Sequence, residues 1–329
     1  MKRFTYLLLV AFVALSFISC DALHTASSNK VNSQGSPYEL IIVCNQPEWE
    51  GELGDTLKVI LRAEIPYLVQ PEPFFSTYRV TQQGYDNIIL KHRNIFIVNV
   101  APSLEESSII VQYDVNASPQ IVMTLQGPNQ KSLTEYVSQN REMVMHALEM
   151  AERDRDIAYG QKFSIASLDK LILEKFDVSM KIPVGYTLRN EGDDFMWMSY
   201  EYPTASQGVI LYSYPSEGKA SLKWEPLLEA RNKYAARIPG PTDGSYMTTF
   251  MEVEPDYRLF RMKGRVWAEL RGLWEVEGDY MGGPYVSYST IDERTNRVFT
   301  LDCYVYSPKI GKRNYLRGVE HLLYNIEIE

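Results

Sequence analysis

The chain is 329 residues long and 45% hydrophobic, with 42 Asp and Glu against 33 Lys and Arg for a formal net charge of −9. That length suffices for a large core in one or two domains. An acidic body without a long basic run weighs against nucleic acid as a partner.

In chain order, the first segment reads MKRFTYLLLVAFVALSFISC. Lys2 and Arg3 precede an apolar run over residues 4–18, interrupted only by Thr5, Tyr6 and Ser16. The run is shorter than the roughly 20 residues a helix needs to cross a bilayer. A basic start, a short apolar core and small residues near its end predict a secretory signal peptide over 1–19. Phe17-Ile18-Ser19-Cys20 resembles the bacterial lipobox, departing from its usual leucine at Phe17. The resemblance implies cleavage before Cys20 and a lipid on its thiol, so the protein is anchored to a membrane without spanning it. Several acyl chains hold such an anchor where one does not. Residues 20–36 begin with the lipidated cysteine and continue as a small, polar stretch. They predict a flexible tether reaching roughly 20–25 Å as a random coil. Asp21 stands alone where surface-exposed lipoproteins carry an acidic cluster, which points to the periplasmic face of the inner or outer membrane.

Residues 37–160 read as an N-terminal α/β unit. YELIIVC is a buried strand, and Trp49–Glu64 contains an amphipathic helix with Leu53, Leu57, Ile60 and Leu61 on one face. Strands are expected next at Ser76–Thr81, Ile95–Val100, Ser108–Tyr113 and Gln120–Gln126. One long helix is expected from Gln130 to Tyr159, its buried stripe running through Leu133, Val137, Asn140, Val144, Leu148 and Ala151, with Gly160 as its stop.

Residues 161–329 read as an antiparallel α/β unit. A helix over Ser167–Phe176 precedes DVSMKIP, where Val178, Met180 and Ile182 alternate as in a half-buried strand. Two strands flank turns at NEGDD and TASQG, and a helix over Glu225–Ile238 tolerates Pro226 in its first turn. The meander Thr248–Glu254, Tyr257–Met262, Arg265–Val276, Tyr285–Ile291 and Arg297–Tyr306 leads to a last helix, Lys312–Tyr324, that buries Leu316, Val319 and Leu323. Runs of strands closed by helices predict a mixed α/β (α+β) fold, mostly antiparallel sheets flanked by helices, compatible with two related α/β sandwich units.

The strings KIPVGY, LYSYP, IPGPTDGSYM, RGLWEVEGDYMGGPYVSY and YVYSPKIGKRNYLRGVEHLLY resemble a family of Bacteroidota lipoproteins known only as a domain of unknown function, number 4837. The resemblance spans nearly the whole mature chain and implies an envelope lipoprotein, with no activity or catalytic residue attached. More loosely, the second half is similar to PsbP-type sandwiches, a likeness of fold alone.

Candidate sites come from chemistry-bearing clusters. In RGLWEVEGDYMGGPYVSY, Arg271, Trp274, Asp279, Tyr280 and Tyr285 bring charge and aromatic surface to one end of a sheet. Such a segment suits a sugar or a peptide. It suits a structural hairpin better, with Gly282-Gly283 serving the turn. His146 with Glu142, Glu149 and Arg153 on the long helix reads as a solvated salt-bridge lattice before a metal site, because a second histidine pair is missing. Arg261, Lys263 and Arg265 form a small basic cluster expected to pair with Glu252, Glu254 and Glu269 across strands. Cys44 and Cys303 read as small buried apolar residues.

GxSxG, HExxH, P-loop and GxGxxG signatures are absent from the sequence. No catalytic residue, metal or cofactor is assigned. The expectation is a lipid-anchored binding or scaffolding module of the cell envelope, with an envelope protein or a glycan as partner. Its 23 tyrosines and five tryptophans could furnish aromatic contact surface. The rival is a periplasmic hydrolase of cell-wall or polysaccharide substrate, drawing paired carboxylates from Asp193-Asp194 or Glu275, Glu277 and Asp279.

Overall fold

The computed structural model describes residues 30–328, so the expected signal peptide and Cys20 lie outside the described residues. Residues 32–34, the end of the expected tether, are held by loops of the first sheet. Ser33 N donates to Ser118 O at 3.2 Å and Gln34 N to Lys91 O at 2.9 Å.

Strand β1 (Glu39–Val43) is apolar and almost wholly buried, as a central parallel strand requires. Gly51 separates α1 (Gln46–Glu50) from α2 (Glu52–Leu61), and α2 turns the predicted Leu53, Leu57, Ile60 and Leu61 inward. This crossover returns β2 (Ser76–Val80) parallel to β1. β3 (Asn94–Val100) lies parallel on the other side of β1, and β5 (Ile121–Gly127) lies parallel to β3. β4 (Ser108–Tyr113) completes the order β2-β1-β3-β5-β4 as the antiparallel partner of β5.

The long helix is in fact two, α3 (Gln130–Gln139) and α4 (Arg141–Lys162). Asn140 divides them because its side-chain Nδ2 donates to Tyr136 O at 2.8 Å, competing with the backbone ladder. The stripe survives the break: Leu133, Val137, Val144 and Leu148 are fully buried over the sheet. Each such side chain contributes about 1.5–3 kcal/mol. Gly160 does not stop α4. It sits in the last turn, where a Cβ would make only ordinary contact with Pro183 at 3.5 Å.

Helix α5 (Ala166–Phe176) ends on Asp177 in the left-handed region, φ 57°. Val178, Met180 and Ile182 alternate into the core as the sequence predicts. Only β6 (Val178–Ser179) is strand, paired with the C-terminal Glu327–Ile328. Ile182 binds α5 instead, its N donating to Asp169 Oδ1 at 2.8 Å.

The second sheet has eight strands in the order β10-β12-β13-β14-β9-β8-β7, with β11 also on β12. They are β7 (Thr187–Gly192), β8 (Phe195–Glu201), β9 (Ser206–Pro215), β10 (Tyr246–Thr249), β11 (Asp256–Met262), β12 (Arg265–Glu277), β13 (Gly282–Asp292) and β14 (Arg297–Tyr306). All pairings here are antiparallel. β10 stops at Thr249, short of the expected Glu254, because residues 251–254 turn out into solvent before β11 takes over the same edge of β12.

Helices cover both faces of this sheet. On one, Phe299, Leu301, Cys303 and Val305 of β14 pack with α5 and with α7 (Arg313–Glu320), which buries Leu316 and Val319. The expected single helix to Tyr324 tightens after Glu320 into a 3-10 turn, His321–Asn325, still burying Leu323. On the other face, Tyr212, Trp274, Tyr285 and Tyr304 pack with Leu227 and Tyr234 of α6 (Trp224–Ala235). Cys44 and Cys303 are free thiols buried in the separate cores of the two sheets. Among the described residues no helix is long and apolar enough to cross a membrane.

Candidate functional site

The two sheets meet where α4 faces α7. α4 commits its apolar stripe to the first sheet, and at 100° per residue Glu149, Glu152 and Asp156 fall together on the flank of that stripe. α7 and its 3-10 extension are amphipathic in the same sense. Leu316, Val319 and Leu323 enter the second core, while Arg317 and His321 turn toward α4 and Glu320 toward Arg271 of β12.

These side chains form a continuous polar seam. Arg317 pairs with Glu149 of α4, and its Nη1 lies 2.7 Å from Glu320 Oε2. Glu320 also pairs with Arg271 of β12, whose Nε is 3.3 Å from Glu269, itself 2.7 Å from Arg258. His321 Nδ1 lies 2.6 Å from Asp156 Oδ2, and its Nε2 is 3.3 Å from Glu149 Oε1 and 3.1 Å from Tyr38 Oη. Glu152, almost fully buried, accepts from Tyr38 N at 3.1 Å and Asn94 Nδ2 at 2.6 Å, and pairs with Arg93 and Arg155. Each buried charge therefore has a partner, as charge in a low-dielectric interior requires.

The electrostatics fix the protonation states. Burial pushes the His321 imidazolium toward losing its proton, but the hydrogen bonds and charges of Asp156 and Glu149 prevail and raise its pKa above 6.5. Burial also works against the Glu149 carboxylate, yet the His321 hydrogen bond and the Arg317 charge hold it down at about 2. Burial drives the Tyr38 hydroxyl well above its ordinary range, so it stays a neutral phenol. His321, Glu149 and Tyr38 thus satisfy one another and clasp the two helices together.

Beside the clasp opens a cleft of about 680 Å³. Tyr38, Asp156 and His321 form part of its wall, and Glu72 and Arg313 lie at one end. Five tyrosines stand out in the rest of its wall. Tyr200 and Tyr202 stack with centroids 4.1 Å apart, Tyr315 meets Tyr202 edge-on at 5.0 Å, and Tyr159 and Tyr186 line it too, beside the aliphatic Ile157, Val184, Ile310 and Leu322. Tyr202 Oη donates to Gln207 Oε1 at 2.8 Å, which fixes the ring. Gly185, at φ +107°, permits the Tyr200 ring its place, since a Cβ there would meet that ring at 2.4 Å. A smaller cleft of about 420 Å³ opens on the Arg271–Arg317 side of the clasp, lined also by Phe74 and Tyr257.

The five residues singled out in RGLWEVEGDYMGGPYVSY do not share a surface. Arg271 enters the seam from one face of β12. Trp274 is buried on the other face, donating Nε1 to Val305 O at 3.2 Å. Tyr285 is fully buried beneath the Arg231 guanidinium, 3.4 Å from its ring centroid. Asp279 and Tyr280 occupy the hairpin tip, where Asp279 Oδ2 accepts from Thr242 Oγ1 at 2.9 Å and Tyr280 is fully exposed. Gly278, at φ +86°, makes the turn, and Gly283 lets β14 approach, since a Cβ there would lie 2.1 Å from Val305 O.

The other clusters also resolve. His146 is exposed, whereas Glu149 leaves the expected solvated lattice for the seam, and Arg153 stacks 3.9 Å from the Tyr324 centroid. Glu269 pairs with Arg258 and Arg271, not with the 261–265 cations; Lys263 Nζ instead donates to Ile326 O at 3.0 Å and Arg265 Nη2 to Ile328 O at 2.9 Å. Asp194, proposed as a paired acid, accepts from Tyr234 Oη at 2.6 Å and pairs with Arg237. Among the described residues no group of three His, Cys, Asp or Glu is arranged to hold a metal. The sequence singles out none of the seam residues Glu152, Asp156 and Arg317, and offers His321 only as one of three histidines able to act as a triad base. Their only sequence signal is acids at 149, 152 and 156 on one helix flank, which is also what a solvated face looks like.

Residues 166–325 match the model of a domain of unknown function, DUF4837, and residues 33–159 match a different one, DUF8532. The first resemblance is thus confined to the second half of the chain, short of the nearly full span expected from its motifs. No curated protein is significantly similar to the sequence. Among solved structures, the chain is similar at 8% identity to a point mutant of the protein Mog1, over 46% of this chain and 90% of that one, with a TM-score of 0.29. It is similar at 12% to a protein from Bacteroides thetaiotaomicron, over 46% and 45% of the two chains, with a TM-score of 0.19. It is similar at 13% to the human StarD13 (DLC2) lipid transfer and protein localization domain, over 49% and 90%, with a TM-score of 0.22. Scores this low assign this chain neither a fold family nor a function.

Proposed function

We propose that the protein is a cell-envelope lipoprotein, anchored through Cys20, whose work is to bind a glycan in the tyrosine-walled cleft beside the seam. The observation that carries the reading is the stacked Tyr200–Tyr202 pair with Tyr315 across it, open to a cleft whose acids Glu72 and Asp156 already accept hydrogen bonds from the protein. Sugar rings present flat C–H faces to aromatic rings and hydroxyls to the polar groups at their edges. Ligand clefts of this size commonly combine apolar walls with a few fixed polar groups. The rival reading as a hydrolase lacks comparable support. Glu72 accepts from Lys312 N at 2.6 Å and from Arg313 N at 3.2 Å, capping α7, and Asp156 is held by His321.

The test is a glycan array probed with the full chain in neutral detergent, alongside Tyr202→Ala and Tyr315→Ala. Wild type should retain at least one glycan class that both variants lose. Equal retention by all three, or product release from the bound glycan, would sink the binding reading. The anchor is tested separately: a clickable fatty acid should label wild type and not Cys20→Ala.

A further inference from the structure

A groove of about 880 Å³ lies on the far side of the second sheet, where the loop entering α6, strand β11 and the β13–β14 turn converge. Its rim carries Lys219, Lys223, Arg261, Lys263, Arg265 and Arg294. Six cations around one groove are a sharp departure in a chain of net charge −9. Asp292 and Glu293 are the acids on the rim, and Asp292 is engaged by its own turn, accepting from Thr295 Oγ1 at 2.6 Å and Arg294 N at 3.1 Å. Arg294 reaches away to Asp177, while Lys263 and Arg265 fasten the C-terminal residues. The side chains of Lys219, Lys223 and Arg261 stand exposed.

Two further features define the ligand. Lys223 is the N-cap residue of the twelve-residue α6 and provides no side-chain cap, so the positive end of that helix meets the rim, partly offset by Glu225 in its first turn. The floor is apolar. Leu259 is 55% exposed and Tyr257 37%, with Leu222 and Val266 beside them. Cations over exposed apolar side chains match an anion joined to a hydrocarbon, and match neither a sugar nor a free polyanion alone.

We propose that this groove binds the phosphate headgroup of an anionic lipid, with Lys219, Lys223 and Arg261 on the phosphate and Leu259 and Tyr257 against the first methylenes of the acyl chains. The site is distinct from the seam cleft and independent of what that cleft binds. It requires a bilayer or a carrier that presents the lipid, since the floor stays wet when a bare phosphate occupies the rim.

The experiment is native mass spectrometry of the full chain released from a neutral detergent, with bound lipid counted after addition of dioctanoylphosphatidylglycerol, dioctanoylphosphatidylcholine or inorganic phosphate. Wild type should prefer the anionic lipid by about a hundredfold over the zwitterionic one, given roughly 1 kcal/mol for each of the three cations near an anionic headgroup. Lys223→Glu with Arg261→Glu should abolish that preference, while Lys131→Glu with Lys170→Glu, a remote pair of the same charge change, should keep it. Unchanged melting of both variants separates lost binding from lost folding. Leu259→Asn should weaken lipid binding and leave any phosphate binding intact. Equal uptake of the two lipids, retention by the groove variant, or full displacement by inorganic phosphate would overturn the proposal.

Discussion

His321 Nδ1 sits 2.6 Å from Asp156 Oδ2, joining the last helical segment of the second half to the long helix of the first. With Glu149 on the other ring nitrogen, the imidazole is held as a cation, its pKa raised above 6.5. A raised folded pKa gives stability that is complete below 6.5 and is lost as pH rises through the folded value. Glu149 behaves oppositely: lowered from 4.5 to about 2, it contributes fully above 4.5 and is lost as pH falls toward 2. The carboxylate side alone is worth about 3 kcal/mol. Urea midpoints should therefore be highest between the two ordinary values and fall on both sides. His321→Gln should flatten the alkaline limb and Glu149→Gln the acid limb. An alkaline limb as steep in His321→Gln as in wild type would remove His321 as the cause.

Arg317 is shared between Glu149 of α4 and Glu320 of its own helix. Removing it leaves Glu149 to His321 and Glu320 to Arg271, so each largely buried carboxylate loses one of its cations and keeps another. Arg317→Met should cost about 1.5–3 kcal/mol of unfolding free energy, as for charge-assisted hydrogen bonds. Combined with Glu149→Gln, the loss should be less than the sum of the single losses, with a coupling of about 0.5–3 kcal/mol. Strict additivity in that cycle would show that the pair does not join the two halves.

Much of the architecture was legible because it rests on periodicity. Leu316, Val319 and Leu323 follow a helical period, and Phe299, Leu301, Cys303 and Val305 alternate, so their faces are written in the residues themselves. The parallel order of the first sheet was less visible, because strands buried on both sides lose the alternation that fixes a face. The break at Asn140 was hidden because Asn140 falls on the apolar stripe, where its spacing fits a continuous helix. The seam was least visible. Glu149 and Arg317 are 168 residues apart, and nothing local tells a buried acid from a solvated one. The candidate cluster around Asp279 disperses for the opposite reason: Arg271 and Trp274, close in sequence, are sent to opposite faces of β12 by strand geometry.

That hairpin offers a direct comparison of structural and surface roles. Gly283→Ala drives a Cβ to 2.1 Å from Val305 O in the middle of a sheet and should cost about 1–3 kcal/mol or more. Gly278→Ala forces a side chain onto φ +86° and should cost about 1–2 kcal/mol. Tyr280→Ala, at the exposed tip, should stay within about 0.5 kcal/mol. Chemical denaturation of the three variants checks the ranking, and a large effect at Tyr280 would restore the segment as a candidate working site.

Cys44 and Cys303 lie in different cores, and neither is exposed. Burial, reinforced by Glu48 and only partly offset by Arg79, pushes the Cys44 thiol up to about 12. Burial also raises the Cys303 thiol well above its ordinary value. A thiol without thiolate and without access does not react. Ellman titration of Cys20→Ala at about pH 8 should detect neither thiol in the folded protein and both after unfolding, with no reductant required. A reductant requirement would reveal a disulfide.

Arg231 and Asp302 form the most deeply buried charge pair, 2.8 Å apart with both side chains wholly inaccessible. The guanidinium also donates to Thr249 Oγ1 at 2.7 Å and lies over the Tyr285 ring, so α6 is pinned to β10, β13 and β14 through one side chain. Burial still raises the Asp302 pKa despite that partner, which shows how costly the charge is to hold there. A pair of this kind need not add net stability, but half of it is severely destabilising. Asp302→Ala should therefore cost about 3–5 kcal/mol, leaving an uncompensated guanidinium beneath Tyr285. Asp302→Leu combined with Arg231→Met should recover most of that loss, because no charge is left to desolvate. Guanidinium unfolding of the single and double variants distinguishes the cases. If the double variant is as weak as Asp302→Ala, the lost stability came from packing around α6 and not from stranded charge.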